Sequence, residues 1–145
     1  MTFIFPWALV DSLNAEKIDL AFKIHKIEST EKKINKKIGK YNEYRESSVP
    51  LLKNGYRKLY DGVDDATEGS MRTRFEEICV FEENVLTVID DNMQKDCDFF
   101  KKIIDQMEVK KAEYQQRINA IGNELADIDD QKRKAERSAE KNVKH

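Results

Sequence analysis

From Met71 to about Glu140, apolar side chains recur every three or four positions and no proline intervenes, a pattern that predicts one very long helix. At 1.5 Å per residue such a helix would extend roughly 100 Å, too far to fold into a compact core of its own. Upstream, Leu13, Leu20, Ile24, Ile27, Ile34, Ile38 and Tyr41 fall at alternating four- and three-residue steps once Lys17 and Glu31 are counted as polar interruptions of the stripe. This predicts a first helix that begins near Asp11 or Ser12, either of which can cap it, and runs to about Ser48. Pro50 interrupts that helix because proline lacks an amide donor and clashes with the preceding turn. Leu52, Tyr56, Leu59, Tyr60 and Val63 then resume an amphipathic pattern over about 51–61. Two glycines and several small polar residues between Asp61 and Ser70 supply a chain reversal, with Gly62 expected to end one helix and Thr67 or Ser70 to cap the next. The predicted fold is all-α: a long antiparallel helical hairpin or coiled coil with a kinked first helix, its hairpin domain spanning 12–128 between an apolar segment at 1–11 and a charged tail at 129–145.

The long helix carries two apolar stripes in its first half. Met71, Phe75, Ile78, Val85, Ile89, Phe99 and Ile103 form one; Cys79, Leu86, Met93, Cys97, Phe100, Ile104 and Met107 form the other, displaced by one position and so by about 100° around the helix. One antiparallel neighbour covers one stripe. The remainder predicts a partner-binding surface, assigned to Phe81, Leu86, Met93, Cys97, Phe100, Ile104 and Met107, because these side chains left in water would make an unusually large apolar patch. Aspartate at Leu86 or Phe100 is expected to abolish complex formation and spare helicity; loss of helicity would mark the stripe as core. Beyond Met107 the pattern narrows to Tyr114, Ile118, Ile121, Leu125, Ile128 and Ala135, a two-helix seam.

Residues 1–10 are apolar around Pro6, but too short to span a bilayer and without the basic flank of a signal peptide, so they are expected to pack as a strand-like or irregular segment on the helices or a partner, and membrane contact is disfavoured. With 37% charged residues, only 5 Gly and 2 Pro, and a mean hydropathy of −0.75, composition agrees with helices over sheets. The net charge of −2 gives no bulk attraction to nucleic acid. The lysines Lys32, Lys33, Lys36, Lys37 and Lys40 read as a solvated helix face. Only 2 His are present, and no Glu-x-x-His pair precedes His25, so neither a metal site nor another cofactor is expected. Cys79 and Cys97, roughly 27 Å apart along one helix, cannot bond to each other while that helix is intact, and they fit buried thiols in a reducing, cytoplasmic setting. No phosphate loop, nucleophile elbow or dinucleotide fingerprint occurs. The sequence thus predicts neither an enzyme nor a small-molecule site. Glu31 and Lys17, as polar seam residues, disfavour a simple symmetric homodimer and favour a hetero-complex with another helical protein.

Tyr60-Asp61-Gly62 and the Tyr60…Asp64 spacing carry a family resemblance. A helix, a turn bearing aromatic-x-Gly and a longer helix resemble the small helical proteins of Gram-positive type VII (Esx) secretion, both WXG-type proteins and the helical partners of LXG toxins. Tyr60-Asp61-Gly62 stands where those proteins carry Trp-x-Gly, and Tyr60 with Asp64 gives the Tyr-x-x-x-Asp spacing of the pathway's targeting signal. Here the Trp is a Tyr, the signal falls in the expected turn instead of after the last helix, and the chain is longer. The resemblance would cover about residues 12–128 and implies a non-enzymatic adaptor that binds a toxin's N-terminal helical region and supports its export, being exported with it in some cases. Glu16-Lys17-Ile18-Asp19-Leu20-Ala21 and Tyr41-Asn42-Glu43-Tyr44-Arg45 are also similar to the export stalk of type III and flagellar secretion. A structural coiled-coil subunit of a larger assembly is the reading that needs no motif.

Overall fold

A computed structural model describes residues 4–143. Phe3 of the apolar N-terminal segment and His145 of the tail lie outside the described residues. The chain forms α1 (Trp7–Glu43), a π-helical turn (Tyr44–Ser48), α2 (Val49–Ala66) and α3 (Ser70–Val143), with no strand among the described residues. α1 and α2 together make the first arm of an antiparallel helical hairpin and α3 the second. The expected all-α hairpin is therefore the observed fold.

Three boundaries differ from the sequence expectation. α1 begins at Trp7, directly after Pro6, because a proline at a helix entrance sacrifices only a donor that the first turn does not need, while the Pro6 carbonyl still accepts the Val10 amide at 3.0 Å. Residues 7–11 of the N-terminal segment are therefore helical, with the Phe5 ring tilted against Trp7 at 4.3 Å between centroids and under Lys132 at 5.1 Å. α2 continues through Gly62 to Ala66, so Gly62 does not end it. The chain reverses at Gly69, which takes the left-handed conformation at φ 68°. Thr67 closes α2 instead of opening α3: its amide and hydroxyl donate to the Val63 carbonyl at 2.9 and 2.6 Å. The charged tail is helical from Asp129 to Val143.

The first arm is interrupted but not broken at Pro50. The Val49 amide donates to the Tyr44 carbonyl, five residues back, which defines the π turn. Proline at position 50 cannot donate to Glu46 and would press its ring on that carbonyl in a regular helix; the wider turn removes both conflicts. It also absorbs an extra residue. Tyr41, Arg45 and Val49 follow one another at two consecutive four-residue steps, which a regular helix would swing off the seam, yet Val49 is buried.

The chain divides into two compact units, each made from both arms. In the unit formed by residues 4–31 and 106–143, Leu13, Leu20 and Ile121 are buried together, with Tyr114, Ile118, Leu125 and Ile128 packed against them. Ile121 has no exposed surface. Arg117 closes the edge of this seam, donating to both carboxylate oxygens of Glu16 at 2.8 and 3.0 Å and to Glu124 at 3.3 Å. That guanidinium holds the Glu16 carboxyl below its ordinary range. Glu31 is the buried exception. Its Oε1 has no hydrogen-bond partner, and Lys111 Nζ stands 3.9 Å away.

In the other unit, Lys32–Asp105, the inward positions are Ile38, Val49, Cys79, Leu86 and Cys97. The Cys97 thiol donates to Asn42 Oδ1 at 3.9 Å, and Tyr41 packs on Phe100 with ring centroids 6.1 Å apart. Arg45 donates to Asp90 at 3.0 Å and Lys53 to Thr87 at 2.7 Å, which fixes the start of α2 beside Leu86. Both cysteines are free and buried.

Candidate partner-binding face

A two-helix seam can cover only one of the two stripes of α3, and burial identifies which. Cys79, Leu86 and Cys97 are buried, and Met93, Phe100, Ile104 and Met107 are half-buried. Six of the seven residues expected to bind a partner are therefore covered within the chain, Leu86 and Cys97 fully and Met93, Phe100, Ile104 and Met107 in part. The exception is Phe81, which is 65% exposed.

The physical reason lies in register. Counting onward from Met107 in steps of four and three reaches Lys111, Tyr114, Ile118, Ile121, Leu125 and Ile128, so the inner stripe continues along α3 as one seam, with polar residues at Glu83, Asp90 and Lys111. The outer stripe, continued past Ile103 in the same steps, reaches Gln106, Lys110 and Glu113 and dies. A seam that runs the whole helix is the one the other arm follows. That continuity was the signal in the sequence that distinguishes core from surface.

The outer stripe is the less covered one, with Phe75, Ile89 and Ile103 half-buried and the other four exposed. Met71 is 74% exposed and Phe99 60%, with Ile78 and Val85 also open to solvent. Phe81 and Val88, one position further around α3, widen the band. Glu82, Asn92 and Asp96 interrupt it.

α2 carries a matching stripe that sequence reasoning missed. Leu52, Gly55, Leu59, Gly62 and Ala66 recur at alternating three- and four-residue steps, and all five are exposed. Tyr56, Tyr60 and Val63 face inward instead. A Cβ built at Gly55 or Gly62 meets nothing within 4 Å, so close packing inside the chain does not explain either glycine. In heptad terms the stripes on α2 and α3 occupy the same two flanking positions, and an antiparallel pair brings those flanks to the same side. The two stripes therefore form one continuous face. Near the chain reversal it deepens into a shallow cleft of about 580 Å³ lined by Val63, Thr67, Met71, Phe75 and Ile78.

The turn motif is placed differently from its expectation. Tyr60, Gly62 and Asp64 all lie within α2, not in the turn. The Tyr60 hydroxyl donates to Asp64 at 3.3 Å, and Arg72 of α3 donates to the same carboxylate, so Asp64 ties the two arms together next to the reversal. Hydrogen bonding from Arg72 holds the Asp64 carboxyl below its ordinary range, whereas burial and the nearby carboxylate push the Tyr60 hydroxyl up. These two residues thus act as a local clamp.

Among the described residues, no three His, Cys, Asp or Glu side chains converge so as to hold a metal ion, and no helix is long and apolar enough to cross a membrane. His25 is exposed on α1, outside the seam. No protein-family model matches this chain, and no curated protein or solved structure matches it significantly.

Proposed function

We propose that this protein is a non-enzymatic helical adaptor whose Lys32–Asp105 unit binds a helical segment of another protein. The observation that supports the reading is the uncovered apolar face built from α2 and the first half of α3, with Phe81, Val88 and Phe99 all more than half exposed. Contiguous apolar surface of this extent marks interaction sites on folded proteins. The spacing of its residues in threes and fours suits a helix laid along it, as in helix-in-groove recognition.

The partner class we propose is an LXG-type toxin of type VII secretion, with the adaptor supporting its export. That assignment rests on Tyr60-Asp61-Gly62 and Tyr60…Asp64. Co-expression with an LXG-type toxin encoded beside this gene is expected to yield a stable complex that Phe81→Asp disrupts without loss of helicity. Absence of a complex with such a neighbour would remove the toxin assignment, and a complex indifferent to Phe81→Asp would remove the face.

A further inference from the structure

We infer that, before any client binds, the uncovered face is closed by a second copy of this chain, in a twofold antiparallel four-helix bundle across the Lys32–Asp105 units. The inference rests on reading that face as a protein-binding surface and names its first occupant.

Area supports a second copy. The exposed parts of Leu52, Leu59, Met71, Ile78, Phe81 and Val88 alone amount to on the order of 700 Å² of apolar side chain, close to the roughly 800 Å² per partner of a standard stable interface. Both helices of the hairpin contribute, as each helix of a four-helix bundle must.

Charge supports it independently and sets the orientation. A twofold axis through α3 at Leu86 places Glu77 of one copy opposite Lys95 of the other, and Arg74, which also pairs with Glu77 of its own chain at 3.3 Å, opposite Asp98. A parallel arrangement would set each of these charges beside its own like. The Arg45–Asp90 and Lys53–Thr87 pairings fix the same axis on the first arm near Leu51. It then brings the Lys33, Lys37 and Lys40 edge of α1 opposite Glu68, Asp65 and Asp61 at the end of α2. Among the described residues, none of these six charges takes part in an ion pair within its own chain. In this register Gly55 and Gly62 meet Tyr44 and the lysine stems of α1, and their missing side chains leave the room that a close helix approach needs.

The polar seam residues do not oppose self-association, because Glu31 lies in the other unit, facing Lys111 of its own chain.

The test uses the full chain alone. Light scattering and sedimentation equilibrium at tens of micromolar should report a dimer, and Leu59→Asp with Val88→Asp should give a helical monomer. The double change Lys37→Glu and Lys40→Glu should raise the dimer dissociation constant at least tenfold, with Asp61→Lys and Asp65→Lys in the same chain restoring it. Val88→Cys, close to the axis, should cross-link to itself, and Met71→Cys, far from it, should not. A wild-type monomer at these concentrations overturns the inference. So does a dimer that survives the face substitutions, or equal cross-linking at both cysteines, the mark of a parallel pair. A monomer that still captures its client would overturn the dimer and leave the adaptor reading standing; a dimer of the expected kind with no client would support the dimer and sink the toxin assignment.

Discussion

Aspartate in place of Leu86 will unfold the Lys32–Asp105 unit, whereas aspartate two residues later, in place of Val88, will leave it folded. Leu86 is 7% exposed and Val88 57%. The first substitution empties a core position, which costs about 2–5 kcal/mol for a leucine, and also places a carboxylate where no cation waits for it, which adds several more. Together these approach or exceed the stability that a domain of this size has to lose. The second substitution adds a charge to solvent and removes only exposed apolar surface. Circular dichroism and thermal melting of the two variants give the comparison directly: a large loss of helicity confined to Leu86→Asp is the expected result. Equal helicity in both would show that the inner stripe is not the core, contrary to its burial.

Replacing Glu31 by leucine will stabilise the protein at neutral pH, by about 1–3 kcal/mol. Glu31 is buried on the seam of the other unit, its Oε1 unpartnered and Lys111 held at 3.9 Å. Lys111 is better paired with Glu108, at 3.0 Å. Hydrogen bonding to Glu108, burial and repulsion from Glu108 and Glu28 raise the Glu31 carboxyl above its ordinary range. Its folded pKa therefore exceeds the unfolded one. The stability that protonated Glu31 contributes is fully present below the ordinary glutamate range and is lost as pH rises through the raised folded pKa. Glu108, held low mainly by its hydrogen bond with Glu31 and then by Lys111, contributes with the opposite sign; the variant loses the part that comes from Glu31, and that part is already complete once the pH has passed the ordinary glutamate range. The advantage of Glu31→Leu over wild type should accordingly widen above the ordinary glutamate range, from about pH 5 toward pH 7, measured as the difference in urea midpoint at each pH. A wild type more stable than the variant at pH 7 would mean that the Lys111 interaction outweighs the burial of the carboxylate.

The hairpin was legible in the sequence because it rests on periodicity, which needs no knowledge of what touches what. Leu13, Leu20 and Ile38 on α1 and Ile121 on α3 are buried where their spacing puts them. The inward face of α3 was harder to assign, since both stripes are equally apolar between Met71 and Met107 and differ only in how far they continue. Two features escaped for a different reason. The α2 face alternates Leu52 and Leu59 with Gly55, Gly62 and Ala66, small residues with little hydropathy signal, so Gly62 reads as turn material although its neighbours sustain a helix to Ala66. The start of α1 lies ahead of the capping residues Asp11 and Ser12 because Pro6 makes a helix entrance of its own. The spacing of Tyr60 and Asp64 resembles a targeting signal and predicts no contact between them, and their meeting with Arg72 depends on the close return of the chain, which no local pattern encodes.

The π turn bears on how the length of this protein can change over evolutionary time. Throughout the arms an inserted or deleted residue turns everything beyond it by about 100°, exchanging core for surface along the rest of the helix. Between Tyr44 and Ser48 the arithmetic differs: the wider turn already holds a surplus residue, and losing it would restore the regular alternation of four and three from Tyr41 to Val49. With Pro50 replaced as well, so that the tighter turn could form, both faces of α2 would keep their orientation. This short stretch is a place in the first arm where the gene can lose a codon and the hairpin still close.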